Sequence, residues 1–190
     1  ASYISTIIPT DVGQSGSYTG TQKTTLANEA NVNLSTTYRK IVSFWTIIGS
    51  FGTGTTTNVR NIWEEGGGTN WWGAYTFNNN EIGISIGEST KDEGNCAATG
   101  LSTGTLYNVV MQWEASTETM QLWINGVLKC STTTTTGGAL SAHSGDWEIA
   151  GKADARDYLS NVIDQEFIGD IGDYSYWAEP TRLLTQREIF

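Results

Sequence analysis

The sequence predicts an all-β domain built from two antiparallel sheets packed face to face. Three observations carry this. Short apolar clusters recur at intervals of about 10 to 20 residues and are flanked by Thr, Ser, Asn and Gly, which is the punctuation of strands and turns. The 22 glycines stand against only 2 prolines. No stretch alternates strand-like and helix-like patterns, so βα units are excluded.

Each candidate strand follows from its own pattern. Residues 41–48 (IVSFWTII) are apolar on both faces and belong near the centre of a sheet or between two layers. Residues 59–63, 71–77 and 81–86 follow; in the last, Ile82, Ile84 and Ile86 alternate with Glu81, Gly83 and Ser85, as in a half-buried strand. Residues 107–114 and 120–124 form a hairpin joined through Ala115 to Thr119, with Met111 and Trp113 sharing a face with Leu122 and Ile124. Asn125-Gly126 forms the next turn, because both residues tolerate positive φ. Residues 146–150 and 167–177 complete the set. Near the C-terminus, Thr185 and Glu188 have capping-box spacing and predict one short helical turn docked by Ile189 and Phe190. The threonine tract within 131–138 reads as a strand edge or an exposed loop.

With 20 acidic and 10 basic residues the net charge is −10, and no basic cluster is present to neutralise phosphates. Nucleic acid and anionic membranes are therefore poor partners. No apolar run approaches the roughly 20 residues that span a bilayer. One histidine, His143, and no C-x-x-C pair argue against zinc and against His-based catalysis. Cys96 and Cys130 are compatible with a disulfide or with two buried thiols.

The order of motifs resembles the laminin-G-like, concanavalin A-like jelly-roll superfamily. The resemblance rests on LSTGTLYNVVMQWEASTETMQLWING (101–126), WEIAGKADARDYL (147–159), FIGDIGDYSYW (167–177) and LLTQREI (183–189), with IVSFWTII and the strands after it upstream. It covers roughly residues 18–190 and departs from the common pattern at Leu106 and Asn108. It implies a single jelly-roll domain over 1–190, with 1–17 as an N-terminal arm. It also implies Ca²⁺ at an acidic rim, for which Glu64, Glu65, Asp154 and Asp157 are the ligand candidates. A second acidic group is Glu88, Asp92 and Glu93.

Glycosidases on this platform carry paired carboxylates on one strand face. Asp164 and Glu166 share a parity, but no third carboxylate completes a cluster, so the chain reads as a non-enzyme. Ring stacking and side-chain amides suit a neutral glycan or a protein surface. The segment GGGTNWWGAYTFNNN (66–80) has that vocabulary, and Asn70, Trp71, Trp72 and Tyr75 are the candidate ligand residues. Trp71 and Trp72 point to opposite faces if extended, so one of them is expected to leave the core side. The resulting expectation is a recognition or adhesion module, extracellular or on a virion surface, with a structural coat subunit, as homo-oligomer or multi-copy assembly, as the alternative.

Overall fold

The computed structural model describes residues 16–26, 39–54, 57–66, 70–88, 91–135, 147–151, 165–178 and 182–189. Within these the chain forms thirteen strands: β1 (Gly16–Thr19), β2 (Thr24–Leu26), β3 (Arg39–Ser50), β4 (Arg60–Gly66), β5 (Trp71–Phe77), β6 (Glu81–Glu88), β7 (Lys91–Ala98), β8 (Leu106–Glu114), β9 (Thr119–Ile124), β10 (Val127–Thr133), β11 (Trp147–Ile149), β12 (Gln165–Glu166) and β13 (Ile168–Ala178). Among the described residues the only helical element is a 3₁₀ turn at Ala115–Thr117.

The first sheet runs β1-β13-β3-β8-β9-β10 and the second β2-β11-β4-β5-β6-β7. The two-residue strand β12 lies parallel to β4, the one exception to antiparallel pairing among the described strands. The doubly apolar segment IVSFWTII becomes β3, which lies between β13 and β8 and is covered on both flanks. β8 and β9 pair antiparallel with Met111 opposite Leu122, Val109 opposite Ile124 and Trp113 opposite Met120. The turn that follows has Asn125 at φ 50° and Gly126 at φ 68°, the left-handed pair of a two-residue hairpin.

Side chains from the two inner faces fill one core. Val42, Phe44, Ile48, Val109, Met111, Trp113, Leu122 and Ile124 of the first sheet meet Trp63, Trp72, Ala74, Ile82, Ile84 and Ile86 of the second. Alternation on β6 places all three isoleucines inward, as the sequence pattern requires. Across this core β3 and β4 are also joined by charge. Lys40 Nζ donates to Glu65 Oε1 at 2.5 Å, and Tyr176 Oη donates to Glu65 Oε2 at 3.1 Å, with all three residues buried. Burial, and then the charge of Glu65, push the neighbouring Tyr174 hydroxyl well above the ordinary tyrosine range.

Cys96 on β7 and Cys130 on β10 form a disulfide with Cα atoms 5.7 Å apart, tying the edge strand of one sheet to the edge strand of the other. The bond spans 34 residues of chain, a loop for which the chain-entropy model gives about 3 to 4 kcal/mol. Replacing both cysteines by alanine is expected to lower the urea midpoint by the equivalent of that energy without changing far-UV circular dichroism. An unchanged midpoint would show that the sheet edges hold without the bond.

At the C-terminal end a single hydrogen-bonded turn, not a helix, forms at the predicted place; Phe190 lies outside the described residues. Glu188 N–H donates to the Thr185 carbonyl at 2.9 Å, and the Glu188 carboxylate accepts from the Thr185 N–H and hydroxyl, both at 2.8 Å. Arg182 adds hydrogen bonds to the same carboxylate, and together these hold its pKa well below the usual range. Gln112 fixes the segment to β8: its amide donates to the Leu184 carbonyl at 3.1 Å and accepts from the Leu184 N–H at 2.9 Å. Leu183, Leu184 and Ile189 thereby cover Ile41, Val110 and Trp123 on the outer face of the first sheet.

Candidate functional site

Two outer faces carry the chemistry relevant to recognition. On the second sheet, Trp72 and Trp71 do point to opposite sides. Trp72 packs inward against Trp63, with ring centroids 5.2 Å apart in an edge-to-face contact, and Trp71 faces outward with Tyr75, Phe77 and Val59. Trp71 thus leaves the core side, as expected, but it is not exposed to solvent: Trp71 is 1% exposed and Trp72 0%. Trp71 is turned along the sheet, where its indole N–H donates to Ser85 Oγ at 3.2 Å. Tyr75 is also buried, and Asn70 is half-buried just before β5. The Tyr75 ring lies over Gly83, where a Cβ would sit 2.6 Å from ring carbon Cε2. Glycine at 83 is what lets the ring lie flat on β6. Neither tryptophan therefore presents a bare ring for stacking.

The acidic pair divides the same way. Glu65 pairs in register with Trp72 and faces the core, whereas Glu64 pairs with Gly73 and faces outward. Both Glu65 oxygens already accept hydrogen bonds, from Lys40 and Tyr176. Glu64 and Glu65 thus cannot ligate one ion together, and the proposed calcium set does not fit as a unit. Asp154 and Asp157 lie outside the described residues, as do His143 and Asp164. Glu88, Asp92 and Glu93 fall on the adjoining ends of β6 and β7. Among the described residues no three His, Cys, Asp or Glu side chains gather as metal ligands.

The first sheet carries a residue that the sequence analysis did not single out. On β3, Val42, Phe44 and Ile48 face the core, so Trp45 faces outward between them and is 41% exposed. In register it stands between Gly172 of β13 and Asn108 of β8. Glycine has no side chain to cover the indole from one flank, and the other flank offers an amide. Asn125, exposed in the adjacent turn, accepts from the Asn108 N–H through Oδ1 at 2.8 Å, which holds a second asparagine close by. Ile47 pairs with Leu106, itself 53% exposed, and extends the apolar strip. The C-terminal turn covers the Ile41 and Val110 end of this face and leaves the Trp45 end open. The signal that could have located Trp45 is parity alone: it is out of phase with Val42, Phe44 and Ile48.

No protein-family model matches the chain, and no curated protein sequence matches it. Its fold is shared with solved structures. A CBM40 domain of the Ruminococcus gnavus IT-sialidase, bound to α2,3 sialyllactose, superposes with a TM-score of 0.63 at 11% identity, covering 93% of this chain and 94% of that one. Domain 4 of AbnA, a GH43 extracellular arabinanase from Geobacillus stearothermophilus in complex with arabinotriose, gives 0.62 at 16% identity, over 100% and 80%. A leech intramolecular trans-sialidase gives 0.64 at 13% identity over 92% of this chain, which spans only 26% of that enzyme. At such identities the likeness establishes the two-sheet β-sandwich. Among the described residues no helix is long and apolar enough to cross a membrane.

Proposed function

We propose that this protein is a non-catalytic glycan-recognition module of the concanavalin A-like jelly-roll type, acting outside the cell and taking a neutral sugar against Trp45. The observation that carries the reading is the open indole between Gly172 and Asn108, with Asn125 nearby. A sugar ring stacks its apolar face on an aromatic plane and places its hydroxyls at the rim, where side-chain amides both donate and accept. A net charge of −10 disfavours anionic ligands and favours neutral ones. The fold supports the glycan class, since one sandwich of this kind is in complex with the neutral arabinotriose and another with the anionic sialyllactose; the choice of a neutral ligand rests on the charge of this chain.

A glycan array followed by titration tests it. Trp45→Ala is expected to weaken binding of the best neutral glycan by roughly tenfold or more. Because Trp45 is partly exposed, the thermal midpoint should move little. Undiminished binding by the variant would remove Trp45 from the site. A protein that binds no glycan and assembles into a closed symmetric array would instead be a structural subunit, and one that cleaves a polysaccharide would be an enzyme.

A further inference from the structure

The open face around Trp45 has a local charge that the net charge of the chain does not describe. On β13, Gly172 stands opposite the indole, with Asp170 and Asp173 on either side of it along the strand. Asp170 pairs in register with Ile47, which shares the outward parity of Trp45, so its half-buried side chain lies on the same outer face. Asp173 falls in the bulge between Gly172 and Ser175, at φ 48°. The other residue of that bulge, Tyr174, stacks inward on Phe44 with ring centroids 6.3 Å apart, which leaves Asp173 exposed on the outer side.

No basic side chain offsets the two acids on this face. From Ser43 to Ile47, none of the outward residues of β3 and none of their register partners on β8 and β13 is basic. Among the described residues neither aspartate forms an ion pair. A ring seated on Trp45 therefore has the Asn108 amide on one flank and, across the bare Gly172, two carboxylates on the other. The flanks are chemically unequal. An amide both donates and accepts hydrogen bonds, whereas ionised carboxylates only accept. Sugar hydroxyls supply donors to both flanks. A ligand carboxylate has no proton to give to Asp170 or Asp173, and it brings a third negative charge against two that no cation on this face neutralises. Discrimination then comes from what the site repels rather than from an added attraction.

We infer that Asp170 and Asp173 are specificity-determining residues that exclude carboxylate-bearing glycans from the Trp45 site. The inference rests on the glycan reading at Trp45 and adds to it the residues that set the ligand class. The test compares α2,3 sialyllactose with its methyl ester, nearly the same in shape but uncharged, by calorimetric titration of the intact protein, with arabinotriose as a neutral reference. Wild type is expected to bind the ester about tenfold or more tightly than the free acid. That gap should narrow in high salt, since charges are screened within about 3 Å in 1 M salt. In the double variant Asp170→Asn, Asp173→Asn the gap should close through tighter binding of the free acid. Asparagine keeps the size of both side chains and tolerates the positive φ at position 173, so the fold is retained. Three results would overturn the inference: an ester bound no better than the acid by wild type, a gap unchanged in the double variant, or exclusion of both forms from wild type and variant alike. In each of these, arabinotriose binding that is lost in Trp45→Ala would leave the glycan reading standing. If no sugar binds wild type, that reading fails and this inference with it.

Discussion

Glu65→Ala is expected to destabilise the protein by about 3 to 5 kcal/mol, because it leaves the Lys40 ammonium buried without its counter-ion. The side chains of Lys40 and Glu65 are 3% and 1% exposed, so water cannot take over the lost interaction. The Trp72 ring, 6.0 Å from Lys40 Nζ, offers only a weak cation–π contact in exchange. Tyr176 loses its acceptor as well. The pair itself need not add stability over an apolar one, since desolvating two charges offsets most of their attraction. Lys40→Met combined with Glu65→Leu should therefore recover much of the loss. Urea unfolding of wild type, single and double variants checks both statements. A single variant within 1 kcal/mol of wild type would mean that Lys40 finds another partner or reaches solvent.

That ion pair also shows where sequence reading stops. Glu64 and Glu65 are adjacent acids, and adjacency alone suggested one rim. In an extended strand, adjacent residues face opposite sides, so one carboxylate entered the core and found Lys40 from another sheet. The same parity was legible for Trp71 and Trp72. What was not legible is what covers the outer face, because burial is a tertiary property that strand alternation does not encode. Trp45 was hidden for the opposite reason: a run apolar on both faces gives no sign that one outward residue remains uncovered. The central strands β3, β5, β6, β8 and β9 were readable because their inner faces are apolar. β7 (KDEGNCAA) was missed, and β10 (VLKCSTT) was read only at its threonines, as a strand edge or an exposed loop, because polar residues are frequent in edge strands, where one flank faces solvent. Yet these two edges are the ones joined by Cys96 and Cys130, so the disulfide supplies a covalent cross-sheet tie there.

Trp113→Ala tests the hairpin that the sequence read most directly, and it is expected to cost about 3 to 5 kcal/mol. Trp113 is fully buried on β8, opposite Met120 on β9 and opposite Lys40 on β3. Its ring therefore sits at the inner face where the first sheet meets the second. Its indole N–H donates to Thr134 Oγ1 at 3.3 Å, and Thr134 is itself fully buried just beyond β10. The Thr134 N–H donates to the Glu118 carbonyl at 2.7 Å, at the tip of the β8–β9 connection. Removing the indole thus opens a cavity and frees a buried hydroxyl in one step. Trp113→Phe separates the two effects: it keeps much of the ring volume and loses the N–H, so it should recover most of the packing while leaving Thr134 with one donor fewer. A loss for Trp113→Phe close to that for alanine would assign the stability to the Thr134 bond rather than to cavity formation. If Trp113→Ala unfolded with the wild-type midpoint, the inward parity of β8 would be wrong, and with it the pairing of Met111 and Val109 against the core.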